Sequence, residues 1–442
     1  MIFIALIEIF ILAYILDRDV RKNGVVTFID QGKLMLILWL VNVIMYNFAL
    51  SNWYEPNLYI NVVVTLIWGS FLIFSRYVYI SEEDIHILMK RLDEDRSYKV
   101  YSLISNVICI LGVLAFAYNV KKFGLAITAQ NKIEKQAMTG ATAYIVYMLV
   151  LCAQIKYILF RKHKRIRDAA IFTISLGVLF LTLNRGPLTF IFITILVYEF
   201  FAFIVYKERL SKEKIKATYI SAAIILVIFI ELFGFVGNLR VKYVMEHHYK
   251  HSINDHYKMS NSLPSGFMWT YIYLTSPLEN ASKAITEQKV EYTYFNNLLY
   301  PFIKFGANTL KKQGEYLYWL NSRTPYEPYL EKKAGLNVMS FITEAFQDLG
   351  FLGLLVYIGV YMLLAFYSIK VVRAKSRFSS MGKILIYSNI MSIMLWSVFV
   401  NSLKLAVVLL NIFFVIFIEN LFKEKNLERI IKLKGKIMPW KK

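Results

Sequence analysis

The sequence predicts an all-α, polytopic membrane protein with about eleven transmembrane helices. Three observations predict it. The chain is 57% hydrophobic and only 18% charged over 442 residues, with a mean hydropathy of +0.49, which is too apolar for a soluble domain. Apolar runs of about 17 or more residues recur along nearly the whole chain, each long enough to cross a bilayer. The connections between these runs also alternate in charge.

The apolar windows lie at about 1–16, 32–50, 57–80, 100–120, 139–160, 168–184, 187–206, 217–236, 350–370, 384–400 and 403–420, with ends good to a few residues. The first, MIFIALIEIFILAYIL, has no leading basic region and no small-residue cleavage site, so it reads as a retained helix rather than a signal peptide. It is short and contains Glu8. Basic connections are RKHKRIR at 161–167, KERLSKEKIK at 207–216, KVVRAKSRFSSMGK at 370–383, the segments 18–33 and 76–99, and the tail 423–442. About 32 of the 51 Lys and Arg fall on this side, and an excess of basic residues in short loops marks the cytoplasm. The expected topology has the N-terminus outside and the C-terminus inside. Lys121, Lys122, Lys132 and Lys135 run against it.

The net charge of +21 therefore reads as a topology signal and an attraction to anionic inner-leaflet lipid, not as a nucleic-acid footprint. Cys109 and Cys152 both fall inside apolar windows, which excludes a disulfide framework. No Walker-type or GxGxxG stretch is present, so any driving force comes with the substrate or from a gradient.

The organisation is then 1–236, eight helices; 237–349, an outer segment; 350–422, three helices; and 423–442, a basic cytoplasmic tail. Connections of this length inside a packed protein are functional or disordered, and 237–337 carries too many aromatics for disorder. LRVKYVMEHHYK reads as an amphipathic surface helix. GFMWTYIYLTSPLENA, broken by Pro277, and YTYFNNLLYPFIKF read as segments dipping into the interface. VMSFITEAFQDLG reads as a short helix ahead of the ninth span.

Several residues could carry chemistry there. Arg185 stands in LTLNRGPLTF at an outer membrane boundary, where Gly186 and Pro187 open a helix whose N-terminus suits an anion. Arg240 and Lys242 follow the eighth span at the same depth, and Arg323 lies in the outer segment. Together they suit a lipid phosphate or pyrophosphate, although snorkelling to ordinary headgroups accounts for each singly. His247 and His251 stand i, i+4 beside His248, His256 and Asp255, with no carboxylate partner of the HExxH kind, so the reading is no metal. Glu279, Glu327, Glu344 and Asp348 are outer carboxylates. Glu344 and Asp348 share a helix face, where either could orient or deprotonate a hydroxyl or simply cap a helix.

The stretch N-x-x-S-F-x-x-E-A-F-x-D-x-G-F-x-G, with Asn337, Ser340, Phe341, Asp348, Gly350 and Gly353, resembles the bacterial Wzy-type O-antigen and capsule repeat-unit polymerases. More distantly it resembles the O-antigen ligases, which have His where this chain has Asn337. The Arg185–Gly186 turn and the Ser276, Pro277, Asn280 segment follow the same order, and the likeness covers about 170–400. The resemblance implies a glycosyltransferase of GT-C-like architecture in the bacterial cytoplasmic membrane, working on its outer side. A growing undecaprenyl-diphosphate-linked glycan would be transferred to the non-reducing end of a new lipid-linked repeat, without cofactor or metal. It implies Arg185, Arg240, Lys242 and Arg323 at the pyrophosphate, and Asp348, Glu344 or Glu279 as base. Asn337, Asn280, Trp269, Tyr273 and Trp319 would hold the glycan. The partners would be lipid-linked oligosaccharides, membrane lipid and a chain-length regulator, and no nucleic acid. Two alternatives stand beside it. One is a ligase, disfavoured by Asn337. The other is a lipid-linked oligosaccharide flippase or transporter, which should show paired inverted halves and has no need of a long outer segment.

Overall fold

A computed structural model describes residues 1–94, 97–125, 141–207, 210–244, 253–260, 262–287, 291–310, 312–323, 328–373 and 378–421, and no strand occurs among them. In chain order the helices are α1 (Ile2–Asn23), α2 (Gln31–Asn47), α3 (Leu58–Tyr77), α4 (Glu82–Glu94), α5 (Tyr98–Phe123), α6 (Ala141–Tyr147), α7 (Leu149–His163), α8 (Ile166–Leu181) and α9 (Arg185–Tyr206). They continue with α10 (Lys212–Val244), α11 (Ile253–His256), α12 (Ser265–Glu287), α13 (Tyr300–Thr309), α14 (Gln313–Arg323), α15 (Tyr329–Ala334), α16 (Phe341–Val372), α17 (Ser380–Trp396) and α18 (Ala406–Leu421). Side-chain caps set several starts: Asp30 accepts from Lys33 N, Asn57 from Ile60 N and Ser379 from Gly382 N.

All eleven apolar windows of the sequence are helical. Among the described residues, six helices are long and apolar enough to cross a membrane: 58–77, 98–123, 142–163, 186–206, 212–239 and 341–372. The chain is a helical, membrane-embedded protein by this measure. Large apolar side chains face outward along it, Ile224 to Ile228 of α10 among them. Lipid is the surrounding that such a surface suits, because a soluble protein exposes no apolar face of this extent.

The connections sort onto two ends of the bundle. At one end Lys207 pairs with Glu82 at 2.6 Å, Tyr101 donates to Glu419, and Tyr387 donates to the carbonyl of Ile29. At the other, Tyr46 donates to Glu279, Lys283 pairs with Glu55, Asn184 donates to Tyr147, and Asn401 donates to Glu344. The first set joins segments that charge alternation assigns to the basic side, and the second joins segments of the opposite side. Packing and charge therefore divide the chain in the same way. The core between the ends is one continuous apolar cluster. At its centre Phe341 packs against Trp39, Tyr357 and Tyr361 with ring centroids 5.0–6.0 Å apart.

Two expectations are corrected. LRVKYV is not a separate surface helix, because α10 runs unbroken from Lys212 to Val244; the remainder of that stretch lies outside the described residues. Pro277 does not break its segment, since α12 is continuous from Ser265 to Glu287. Packing holds the helix in place: Asn42 donates to Leu274 O at 2.7 Å, one residue along from Tyr273, whose carbonyl is the one that the proline leaves without its usual donor. The helix also sits closely on α10, where a Cβ on Gly234 would meet Gly266 Cα at 2.7 Å. YTYFNNLLYPFIKF is a turn followed by α13. The short helix expected before Gly350 is present as the first part of α16. Leu349 (φ −160°, ψ 39°) and Gly350 (φ 60°, ψ −141°) interrupt it there, and the positive φ favours glycine.

Candidate functional site

Residues 49–57, between α2 and α3, fasten the outer segment to the helices. Leu50 N donates to Tyr271 Oη, Ser51 Oγ to Tyr257 O, Trp53 Nε1 to His256 O, and Glu55 N to Glu279 Oε2. Asn57 reaches Ser282, and Lys283 pairs with Glu55 at 2.6 Å. That pairing holds the Lys283 ammonium above its ordinary range and the Glu55 carboxyl below it. α12 carries a second tether on the neighbouring residue. Asn280 Nδ2 donates to Leu336 O (3.0 Å) and Val338 O (2.9 Å), while its Oδ1 accepts from Leu330 N at 2.9 Å. Asn337, between the two bound carbonyls, is left exposed.

The kink of α16 holds another piece of the outer segment. Asp348 is fully buried and accepts from Thr293 Oγ1 and Asn297 N on one oxygen, and from Leu298 N and Tyr357 Oη on the other. The turn it holds contains Tyr294 (φ 48°) and Phe295 (φ 65°), two consecutive aromatics in the left-handed region. Such strain persists only where the surroundings over-determine it, and it gathers at functional positions.

That turn presents Asn297 to Lys404, which lies in the short connection before α18. Lys404 Nζ donates to Asn297 Oδ1 at 2.8 Å and pairs with Glu344 Oε1 at 2.9 Å. Asn401 Nδ2 donates to the other Glu344 oxygen at 2.6 Å. Each Glu344 oxygen thus has one donor and keeps a free acceptor site. The side chains of Glu344 and Lys404 are 14% and 20% exposed. Lys404 also sits 4.9 Å from the Tyr300 ring, where a chain of rings begins: Tyr300 to Tyr316 at 6.3 Å, then Tyr316 to Trp319 at 6.4 Å. Lys304 lies 5.2 Å from Tyr300 and Arg323 lies 4.9 Å from Trp319, neither with a carboxylate partner among the described residues. Burial pushes Tyr316 up to about 12, and its buried Oη finds no partner among the described residues. A carboxylate with free acceptor sites, a rank of rings and two uncompensated cations together can take a proton, stack sugar faces and meet a phosphate.

The site residues expected from the sequence divide accordingly. Glu344 lies at one end of this series of contacts, and Trp319 and Arg323 lie at the other. Asp348 is corrected: with four donors on two buried oxygens it has no free acceptor site, and it anchors the turn instead of serving as a base. Asn280 is corrected from glycan contact to backbone tether, since its amide is buried and bonds to the backbone of Leu330, Leu336 and Val338. Trp269 is corrected too, being buried among Tyr257 and Tyr273 with Nε1 donating to Asn238 at 2.7 Å. Tyr273 is half-buried between Trp269, Phe233 and Phe399. Glu279 is buried away from those rings, under the 49–57 fastener. Tyr46 Oη donates to Oε2 at 2.6 Å, Oε1 has no partner among the described residues, and burial raises its pKa. The side chains of Arg185, Arg240 and Lys242 lie outside the described part of the structure, as do His247, His248, His251, Glu327 and the tail 423–442. Sequence reading missed Asn297, Tyr300, Tyr316, Asn401, Lys404 and the 49–57 fastener. A lysine in NSLK, on the side poor in short-loop basic residues, was the signal available for Lys404.

Comparison with protein-family models, curated proteins and solved structures finds no match to this chain.

Proposed function

We propose that the chain is a polymerase of lipid-linked oligosaccharide repeat units in the bacterial cytoplasmic membrane. In this reading all eleven apolar helices cross the membrane in a GT-C-like arrangement, with the 237–349 segment on the outer face. The growing glycan leaves its undecaprenyl-diphosphate carrier for the non-reducing end of a new lipid-linked repeat. The observation that carries it is the Glu344–Lys404–Asn297 centre beside the Tyr300–Tyr316–Trp319 rings. A carboxylate with free acceptor sites is linked through Lys404 and these rings to Lys304 and Arg323, which have no carboxylate partner among the described residues, at the end of the bundle that charge alternation assigns to the outside.

The attacking hydroxyl gives its proton to Glu344 as its oxygen bonds to the donor's anomeric carbon. The bond from that carbon to the diphosphate oxygen breaks, and the lipid diphosphate departs with the electron pair. Negative charge grows on the leaving group, so cations fixed beforehand lower the barrier. Arg323 and Lys304 fill that role, joined by Arg185, Arg240 and Lys242 from the sequence. Asn337 and Trp319 meet the sugars. No nucleotide is consumed, because breaking the glycosyl diphosphate drives the transfer.

The test uses purified protein in detergent with a synthetic undecaprenyl-diphosphate-linked repeat, without added nucleotide or metal. A ladder of evenly spaced products is expected, and its loss in Arg185→Ala. Passage of intact substrate across liposomes without a ladder would replace this reading with a flippase.

A further inference from the structure

We infer that Trp53, Tyr329, Lys258 and Lys333 form a subsite for a sugar bearing an anionic group, a carboxylate or a phosphate. The inference rests on the glycan-polymerase reading and names the substrate class of its outer face. Three separate segments meet here. Trp53 comes from the 49–57 fastener and is pinned through Nε1 to His256 O. Lys258 follows α11, and Tyr329 and Lys333 belong to α15.

The charges decide what the cluster accepts. Lys333 Nζ donates to Tyr329 Oη, lies 3.8 Å from that ring's centroid and 5.5 Å from that of Trp53, and Lys258 Nζ lies 6.0 Å from Trp53. Ring faces hold an ammonium in place without cancelling its charge. Lys283, 5.0 Å from Tyr329, is neutralised by Glu55 and Glu287 at 2.6 and 3.0 Å. Lys258 and Lys333 have no carboxylate within ion-pair distance among the described residues. The nearest acid of the cluster, Glu55, is already engaged by Lys283 and by Tyr329 Oη at 3.5 Å. Two positive charges thus stand near one indole without a direct ion pair, although Lys333 is close enough to Glu55 to help hold its carboxyl below the ordinary range.

Backbone geometry keeps Lys258 there. It has φ 52°, a conformation costly for a side-chain-bearing residue. Asn52 N donates to its carbonyl at 3.2 Å, and its own N–H donates to Asp255 O. The fastener therefore fixes both the ring and one of its cations. An anionic sugar seated on the rim of the rings bridges the two ammonium groups.

The test is equilibrium binding of a galacturonic acid trimer, against its uncharged methyl ester, to the full chain in detergent and in phosphatidylcholine nanodiscs. The acid form should bind about tenfold or more tightly than the ester, with each of Lys258→Gln and Lys333→Gln losing about tenfold. Lys216→Gln, at the other end of α10, should bind as wild type. Equal binding of acid and ester, or binding indifferent to both lysines, would overturn the subsite. Lysine-dependent displacement of the trimer by phosphatidylglycerol would overturn it in favour of a lipid headgroup site. Binding requires no turnover, so a protein that makes a ladder but ignores the acid trimer loses this inference alone. One that binds the trimer but makes no ladder loses the polymerase reading alone.

Discussion

The carboxylate of Asp348 accepts the backbone N–H of Asn297 at 3.0 Å across a separation of 51 residues. Through that bond the kink of α16 fixes the turn whose next contact, Asn297 Oδ1 to Lys404, orients the cation paired with Glu344. The acid that looked like a base in the sequence holds the frame around another acid, Glu344.

Asp348→Asn should therefore act on folding first. An amide placed there turns a donor toward one of two backbone N–H groups, and leaving such a group buried and unpaired costs roughly 1–3 kcal/mol. Thermal unfolding in detergent should show the loss, and turnover per folded molecule should survive in part. A variant that unfolds like wild type but makes no polymer would return Asp348 to the chemistry.

Glu344→Gln should behave in the opposite way. The amide's one oxygen can still accept from Lys404 while Asn401 keeps its longer bond to Tyr357 Oη, so the protein should still fold with a modest loss of stability, while transfer should fall about 10²-fold or more if this group takes the hydroxyl proton. Initial rates on the lipid-linked repeat decide it, and a rate within a factor of about two of wild type would exclude Glu344 as the base.

How much of this was legible follows from what each signal reports. Hydropathy reports burial and lipid contact, and all eleven of its windows are helical. Charge alternation divides the connections as the hydrogen bonds do, because both follow which helix ends lie together. Pro277 misled because a proline removes one donor without ending a helix that its surroundings hold, and those surroundings are distant in sequence: Asn42 reaches α12 at Leu274 O across 232 residues. Asp348 was visible as an acid beside a glycine kink, but the turn it holds begins 55 residues earlier, at Thr293. Lys404 and Trp53 sit in connections too short to stand out between apolar windows, and only tertiary contact shows what they face.

Asn280→Ala should free the 330–338 stretch without touching the helix core. Three backbone bonds go with the amide, a loss of about 1–3 kcal/mol confined to the outer segment. Trypsin should cut after Lys332 or Lys333 faster than in wild type, with global unfolding unmoved. Unchanged cleavage would show that the clamp from 49–57 holds this stretch unaided.

Glu279 gives a pH signature with a definite sign. Burial raises its folded pKa above the ordinary 4.5, whereas in the unfolded chain it titrates as an ordinary carboxyl. Between those two values the folded protein holds a proton that the unfolded chain has released. The contribution of Glu279 is therefore fullest below the unfolded value and declines as pH rises through the folded one. Glu279→Gln is neutral at every pH and can keep the Tyr46 hydrogen bond through its carbonyl oxygen. Relative to wild type, the variant should gain stability as pH rises from about 4.5 toward neutrality. Thermal melts of both proteins across that range should diverge, with the variant the more stable at the upper end. Parallel profiles would mean that Glu279 is charged in the folded protein, and a charged carboxylate there would require a cation close to Oε1.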